Sequence, residues 1–580
     1  MKELLLGNAA VARGLYEAGC GVVSSYPGTP STEITACAAE YDEIYCEWAP
    51  NEKVGMEVAY GASLAGKRAF TGMKHVGLNV AADPLFTASY TGVNAGMVIA
   101  VSDDPGMHSS QNEQDSRHYA KAAKVPMLEP ADSKECLQFT KYAFELSEQF
   151  DTPVLIRMCT RIGHSQSVTE LSQRVEPPAR TFEKNPQKYV MMPLYARPRH
   201  PVVEQRLLNL VELAEQSELN RVEYFGTELG IITSGTAYQY VKEVFGDSVS
   251  VLKLGMIYPL PEKLILDFAA KVKKLIVVEE LDDFIESHCR KLGLSVVGKE
   301  LFPLIGELSQ NMIAKKLGMP TNEGIKLNET IPPRPPVMCA GCSHRGIFYT
   351  LSKKKTVVFG DIGCYTLGAN PPLNAMDTCL CMGASVSGLH GFIAAGGKNC
   401  IGVVGDSTFV HTGINGLIDI AYNQSDSTLL ILDNHITAMT GHQHNPTTGY
   451  TIKGEPAGKV DIEKLCRATG IERVVVINPF DLTQCDKVIT EEMARPGPSV
   501  IIARAPCALL KTSTTKPPLS VDNGKCTGCL ACMKIACPAI SKREDKKVEI
   551  NKTLCVGCNV CTQLCKFDAF IQNEEGTTND

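Results

Sequence analysis

Eight of the chain's 23 cysteines fall between positions 526 and 565, in two runs, CTGCLACMKIACP (526–538) and CVGCNVCTQLCK (555–566). Each run opens C-x2-C-x2-C and carries a fourth cysteine further on. Three thiolates on one tight loop are soft ligands able to hold three corners of a [4Fe–4S] cube, the fourth corner being held from elsewhere. Zinc also takes four cysteines, but two triple-cysteine runs suit it poorly. A second stretch with chemistry in it is GDSTFVHTGINGLIDIAYN (405–423), where the apolar run IGVV stops at Gly405 and Asp406, ahead of Ser407 and Thr408. About thirty residues on, STLLILDNHITAMTG (427–441) is another apolar run, ending in Asp433 and Asn434. An acid at the mouth of one buried strand and an amide at the mouth of its neighbour are hard-oxygen donors. They suit Mg²⁺, which keeps open positions for a diphosphate.

Strands must hold those residues in place, and the chain has the rhythm for them. Residues 1 to about 185 alternate helical patterns with GMVIAV (96–101) and TPVLIRM (152–158). LGIITSG (229–235), SVSVLKLG (248–255) and KLIVVEE (274–280) continue the pattern, and TVVFGDIG, CIGVVGDS, TLLILDN, RVVVIN and PSVIIARA give five more buried strands. Such βαβ alternation predicts doubly wound α/β domains, whose ligands bind beyond the carboxyl ends of the strands. EKNPQKYVMMPLYARPRHP (183–201), IPPRPPVMCAGC (331–342) and KTSTTKPPLSVDNG (511–524) read as boundaries or linkers, and the final NEEGTTND as disordered.

At 580 residues several domains are required, and a net charge of −7, from 57 basic and 64 acidic residues, indicates no polyanion-binding surface, so nucleic acid is not expected as a partner. MKELLLGNAAVARGLYEAG lacks the continuous apolar stretch of a signal peptide, and no run is long enough to span a bilayer. The expectation is a soluble cytoplasmic protein with no membrane partner. In a reducing compartment, spaced cysteines argue for metal or redox chemistry over disulfides.

The tail resembles bacterial-type two-cluster ferredoxins, in which each run lends its last cysteine to the other cluster. The resemblance assigns Cys526, Cys529, Cys532 and Cys565 to one [4Fe–4S] cluster, and Cys555, Cys558, Cys561 and Cys537 to the other. The first run has four residues before its last cysteine where three are usual, and Lys566 replaces the usual proline. The GDS stretch resembles thiamine-diphosphate enzymes, with Ser407 where that family commonly has glycine. There Asp406, Asn434 and the Ile436 carbonyl match the Mg²⁺ ligands, and Gly405, Ser407, His344 and Gly383 fall about the cofactor. EWAPNEKVGMEVAYGASLAGKRAFTGMKHVGLN (47–79) resembles the helix start that carries the family's cofactor-activating glutamate, matched by Glu52, with Glu57 read as a surface residue.

With SYPGTPSTEI (25–34), the KHVGLN loop and the cysteine tail, the whole chain resembles the 2-oxoacid:ferredoxin oxidoreductases, within them the large subunit of the branch acting on indolepyruvate. The resemblance implies a multidomain α/β fold: a pyrimidine-binding domain (1–185), a transketolase C-terminal-like domain (200–330), a diphosphate- and Mg²⁺-binding domain (335–510) and a two-cluster ferredoxin-like domain (520–572). It implies oxidative decarboxylation of aryl pyruvates with coenzyme A and ferredoxin, giving aryl-acetyl-CoA, CO2 and reduced ferredoxin. A small beta subunit, an α2β2 assembly in which Glu52 of one chain serves Asp406 of another, and an anaerobic host come with it.

In VMCAGCSHRG (337–346), Cys339 and Cys342, with Cys364 and Cys507, match a further [4Fe–4S] site of relatives. Cys379 and Cys381 compete as ligands, and cofactor-lining thiols are the alternative. Thr29 matches a family threonine on the substrate carboxylate. The arginine that relatives use is replaced by Asp103-Asp104-Pro105-Gly106, leaving Lys74 or His75 as substitutes. His344 and His411 are placed near the diphosphate, while His108 and His118 are unassigned. A non-oxidative decarboxylase, or an electron-transfer subunit without catalysis, are the alternative functions. The cysteine tail argues against the first and intact Glu52, Asp406 and Asn434 against the second.

Overall fold

The computed structural model describes residues 1–572 apart from positions 323, 326, 512, 514 and 515. NEEGTTND therefore lies outside the described residues. The chain forms two compact units, divided after Asn328.

In the first unit, the β-branched and apolar runs form a seven-stranded sheet whose central strands are buried along almost their whole length. The elements that carry candidate residues are β1 (Val22–Ser25), α1 (Glu52–Leu64), β2 (Ala69–Lys74), α2 (His75–Val80) and β3 (Met97–Asp103). The strand order is Met256–Tyr258, Met127–Leu128, Val154–Cys159, β3, β2, β1, Tyr45–Trp48, parallel throughout except for the first pair. A four-stranded sheet (Lys274–Val278, Leu229–Ser234, Ser250–Leu254, Arg221–Glu223) follows, and Met256–Tyr258 leaves that segment to edge the larger sheet. Ile99, Val101, Ile257, Leu260, Phe268 and Ile285 share one core as a result.

One sequence expectation is corrected here. Residues 183–201, read as a linker, hold the helix Pro186–Tyr189 and the start of Pro193–Gln216, with Pro198 and Pro201 inside it. Proline breaks helices by removing an N–H donor, but tertiary bonds offset that cost. Arg199 Nε donates to the Tyr90 carbonyl (2.7 Å), and Arg206 donates to the carbonyls of Ser89 (2.6 Å) and Asp151 (2.9 Å).

A buried ionic network also ties this unit together. Arg117 is fully buried, its guanidinium bonded to Asp115 (2.9 Å), Glu279 and the Glu280 carbonyl (2.9 Å). Arg157 bonds Asp103 at 2.7 Å and pairs with Glu129. Removing one partner of such a network strands the buried charge of the other. Arg117→Met is therefore expected to destabilise this unit by about 3–5 kcal/mol, read as a lower urea midpoint.

The second unit contains α3 (His344–Lys353), β4 (Val357–Gly360), α4 (Ala384–Ala394), β5 (Cys400–Gly405) and β6 (Thr428–Asp433). Its six-stranded sheet is all parallel, in the order Thr378–Cys379, β4, β5, β6, Ser499–Arg504, Arg473–Ile477. β5 and β6 are buried at every position, as their unbroken Val/Ile/Leu runs require of a sheet covered on both faces. The cysteine tail packs on the same core: Ile535, Ile540, Val548 and Val560 cluster with Ile347, Phe348 and Leu351. Two antiparallel pairs frame it, Leu519–Val521 with Phe570–Gln572 and Ile540–Lys542 with Val548–Ile550, so the end of the stretch read as a linker is a strand. Among the described residues, no helix is long and apolar enough to cross a membrane.

Candidate functional site

Three adjacent strands of the second unit each end in an acid: Asp361 after β4, Asp406 after β5 and Asp433 closing β6. Asp361 is fully buried and accepts the N–H groups of Ile362 (2.8 Å), Gly383 (3.0 Å) and Ser385 (3.1 Å), which pins its charge to the positive end of α4. Asp433 accepts Arg504 Nε at 2.7 Å. Asp406 is served less well. Its Oδ1 accepts the Ser407 N–H at 2.8 Å, while its buried Oδ2 has no hydrogen-bond donor. Burial, then the proximity of Asp433, push its carboxyl up to about 8. A buried acid with a spare oxygen is a place for a cation.

The left-handed turn at His435 (φ 64°) folds β6 back so that the Ile436 N–H reaches Asn434 Oδ1 at 3.2 Å, with the same backbone facing Asp406. Asp406, Asn434 and Ile436 thus converge. A carboxylate, an amide and a main-chain carbonyl are a donor set that fits Mg²⁺. Thr437 Oγ1 donates to Ser407 Oγ (3.0 Å) and ties the two loops. At Gly405 a Cβ would lie 2.7 Å from Tyr365 Cε1, so the tyrosine ring closes over the strand end. Gly383 has φ 86°, and a Cβ there would stand 2.3 Å from Thr412 Oγ1, so only glycine fits. His411 lies buried in the π-helical turn Phe409–Gly413, with Nδ1 3.1 Å from Thr412 Oγ1. His344 opens α3, its Nε2 3.4 Å from Asn434 Nδ2 and its ring edge-on to Tyr365. Burial pushes it down to about 4, so its imidazole is neutral at physiological pH.

Beside His344 and Asn434 lies a cavity of about 270 Å³ whose lining includes Cys339, Cys342, Cys364 and Cys507. These are the four thiols singled out for a further cluster. Cys379 and Cys381 are exposed and do not line it. Burial pushes Cys342 up to about 12 and Cys364 up to about 11, and neighbouring thiols add to the shift. Four thiols meeting in one apolar cavity fit a group that holds them as thiolates.

In the tail, Cys532 has Cys529, Cys565 and Cys526 as electrostatic neighbours. Cys561 has Cys558, Cys537 and Cys555, with Cys532 beyond them. The thiols gather in the two expected sets, and those sets adjoin. Backbone N–H groups of Leu519 and Ala569 donate to Cys555 Sγ and Cys565 Sγ, each at 3.5 Å, contacts of the kind that tune cluster sulfur.

The first unit holds its own set at the carboxyl ends of β1, Tyr45–Trp48, β2 and β3. Glu52 opens α1 behind the cap Asn51, whose side chain accepts the Val54 N–H at 2.9 Å. It is 6% exposed, and a Cβ on Gly77 of α2 would lie 2.6 Å from its Oε1, so α2 packs directly on the carboxylate. Glu57 is exposed and paired with Lys53. His75 is buried at the start of α2, with Nε2 3.3 Å from Asn112 Oδ1 and Nδ1 without a partner. Lys74 packs against Gly28 beside Thr29, and its Nζ donates to the Ser109 carbonyl (2.6 Å), while Ser109 Oγ donates to the Thr29 carbonyl (3.4 Å). Burial lowers Lys74 to about 8, against the pull of Asp104 and Glu52. Asp104 is occupied by Ser109 N–H, Ser110 Oγ and Thr160 Oγ1, and Asp103 by Arg157 and Ser116. The two acids that replace the family arginine are therefore parts of the framework.

Residues 13–222 match the family described as pyruvate flavodoxin/ferredoxin oxidoreductase, thiamine diphosphate-binding. Residues 361–503 match the C-terminal TPP-binding domain of thiamine pyrophosphate enzymes. The indolepyruvate oxidoreductase subunit IorA of Archaeoglobus fulgidus is 42% identical over 97% of this chain and 96% of its own length. That of Pyrococcus horikoshii is 39% identical over 99% and 97%. The chain belongs to the IorA family. It is a thiamine-diphosphate-dependent 2-oxoacid oxidoreductase.

Three residues at the site of this IorA-family chain escaped sequence reasoning. Asp361 was signalled by FGDIG, which ends a strand in Gly-Asp just as VVGDS does. Tyr365 had no signal, because it meets Gly405, forty residues away in sequence, only through the fold. Arg345 stood unread inside VMCAGCSHRG, because part of its bonding lies in the distant tail.

Proposed function

We propose that this IorA-family chain oxidatively decarboxylates aryl pyruvates, indolepyruvate among them, with coenzyme A and ferredoxin, yielding aryl-acetyl-CoA, CO2 and reduced ferredoxin. The observation that carries this reading is the company the Asp406–Asn434 edge keeps. It borders a four-thiol cavity, and the same unit holds two further thiol sets. A simple decarboxylase has no use for such an electron exit.

Thiamine diphosphate, when bound, supplies the nucleophilic carbon that attacks the keto group and the sink for the electrons left when CO2 departs. Asp406, Asn434 and the Ile436 carbonyl hold Mg²⁺ and through it the diphosphate, with Gly405, Ser407 and Gly383 shaping the floor. Glu52, screened from water, exchanges a proton with the aminopyrimidine. Thr29, with Lys74 or His75, receives the substrate carboxylate. His344, neutral, orients Asn434 from the side. Cys339, Cys342, Cys364 and Cys507 hold the first [4Fe–4S] cluster on the electron path. The set of Cys555, Cys558, Cys561 and Cys537 and that of Cys526, Cys529, Cys532 and Cys565 hold the next two. The working form is an α2β2 assembly with a small beta subunit in the cytoplasm, delivering electrons to ferredoxin.

The test is anaerobic reduction of ferredoxin or a viologen dye by the purified complex with indolepyruvate, with and without coenzyme A. CoA-dependent reduction with aryl-acetyl-CoA as product is the expected result. CO2 and aldehyde appearing without dye reduction would overturn it in favour of non-oxidative decarboxylation.

A further inference from the structure

Arg345 is 4% exposed, and among the described residues it forms no ion pair. Its guanidinium instead donates to four main-chain carbonyls. Two belong to the loop of the cavity cysteines, Met338 and Cys339 (2.8 Å from Nη2), and two to the tail just before Cys537, Ile535 (3.1 Å from Nη1) and Ala536. Its Nε is buried without an acceptor. The cavity loop also touches the second cysteine run. A Cβ on Gly341, between Cys339 and Cys342, would fall 2.1 Å from Val556 Cγ2, between Cys555 and Cys558.

Carbonyl dipoles alone are poor compensation for a buried cation, and a full anion nearby is what normally retains one. Among the described residues the guanidinium has no carboxylate partner, but two thiol sets adjoin it. With those thiols ligated as read above, each set carries net negative charge, and reduction adds one unit more. A fixed cation between them stabilises the reduced form of both and raises their reduction potentials.

We propose that Arg345 is the shared counter-charge of two iron–sulfur clusters, that of Cys339, Cys342, Cys364 and Cys507 and that of Cys555, Cys558, Cys561 and Cys537, and that it sets the potential at which electrons pass between them. The inference rests on the cluster reading of the preceding subsection. Arg345 is a positioning residue for electron transfer: it touches the ligand loops and not the reacting atoms.

The experiment compares Arg345→Gln and Arg345→Lys in the anaerobically purified complex, by iron and acid-labile sulfide content and by EPR-monitored redox titration. The wild type is analysed first. Iron for fewer than three four-iron clusters would overturn the cluster reading itself, before either variant is made. With three present, Arg345→Gln is expected to keep its iron while the reduced-to-oxidised ratio at fixed potential falls at least tenfold in two of the clusters. Tenfold corresponds to about 59 mV for a one-electron couple. Arg345→Lys, which keeps the charge and loses the fork, is expected to titrate as wild type. Loss of iron in the Gln variant would overturn the potential-setting role and leave the arginine a requirement for assembly alone. Full iron with unchanged potentials in Arg345→Gln would overturn it, as would the two variants changing alike, because the four carbonyl bonds would then be the whole role.

Discussion

Replacing Asp406 by alanine is expected to lower oxoacid-dependent dye reduction by about a thousandfold, the equivalent of the several kcal/mol that a bound metal contributes. The same variant should show no rise in melting temperature on adding Mg²⁺ and thiamine diphosphate, where the wild type shows one through linkage. A general loss of folding predicts otherwise. Asp406 Oδ2 is buried without a donor, so the cofactor-free variant should melt no lower than the cofactor-free wild type. Differential scanning calorimetry of both proteins, with and without the cofactor pair, separates these outcomes. Full activity in the variant would remove Asp406 from the site.

Glu52→Gln is expected to behave differently. The amide is nearly isosteric and still fits against Gly77, so cofactor affinity should change little while turnover falls by about 10²–10⁴-fold, the range for losing a positioned acid–base group. Single-turnover kinetics with saturating cofactor, alongside calorimetric titration of the cofactor, checks both halves. Gly77→Ala supplies an independent arm. Its methyl would stand 2.6 Å from the Glu52 carboxylate, so it should lower turnover by displacing that group although residue 52 itself is unchanged. Turnover falling in neither variant would assign the proton to another group.

What could be read from the sequence divides along physical lines. Strands buried on both faces announce themselves as unbroken apolar runs, so CIGVVGDS and TLLILDN gave both the sheet and its acid-tipped edge. Cysteine spacing is equally direct for the three thiols on each loop, while the exchange of the last cysteine between runs came from the resemblance to two-cluster ferredoxins, and Cys565 does lie by Cys532 and Cys537 by Cys561. Contacts made by folding distant segments together were not legible. The strand Met256–Tyr258 is three residues long, and nothing local says that it edges the sheet of the preceding segment. The helix Pro193–Gln216 carries two internal prolines, and what stabilises it is arginine bonds to residues around positions 89–90 and 151. Arg345 is an ordinary helix residue by sequence, and its meaning comes from carbonyls almost two hundred residues away.

Each tail thiol set is completed by a cysteine from the opposite run. A chain still leaving the ribosome therefore holds three thiols of the first set with no fourth until Cys565 emerges, seven residues before the last described strand ends. The second set is whole once Cys561 emerges, because Cys537 is already made, and only the first waits for Cys565. A stop codon or a protease cut anywhere between Cys561 and Cys565 therefore spares the second set and leaves the first short of its fourth thiol. The interleaving gives the tail an order in biosynthesis: the set built on the later run is complete first, and damage at the end of that run is felt at the beginning of the other.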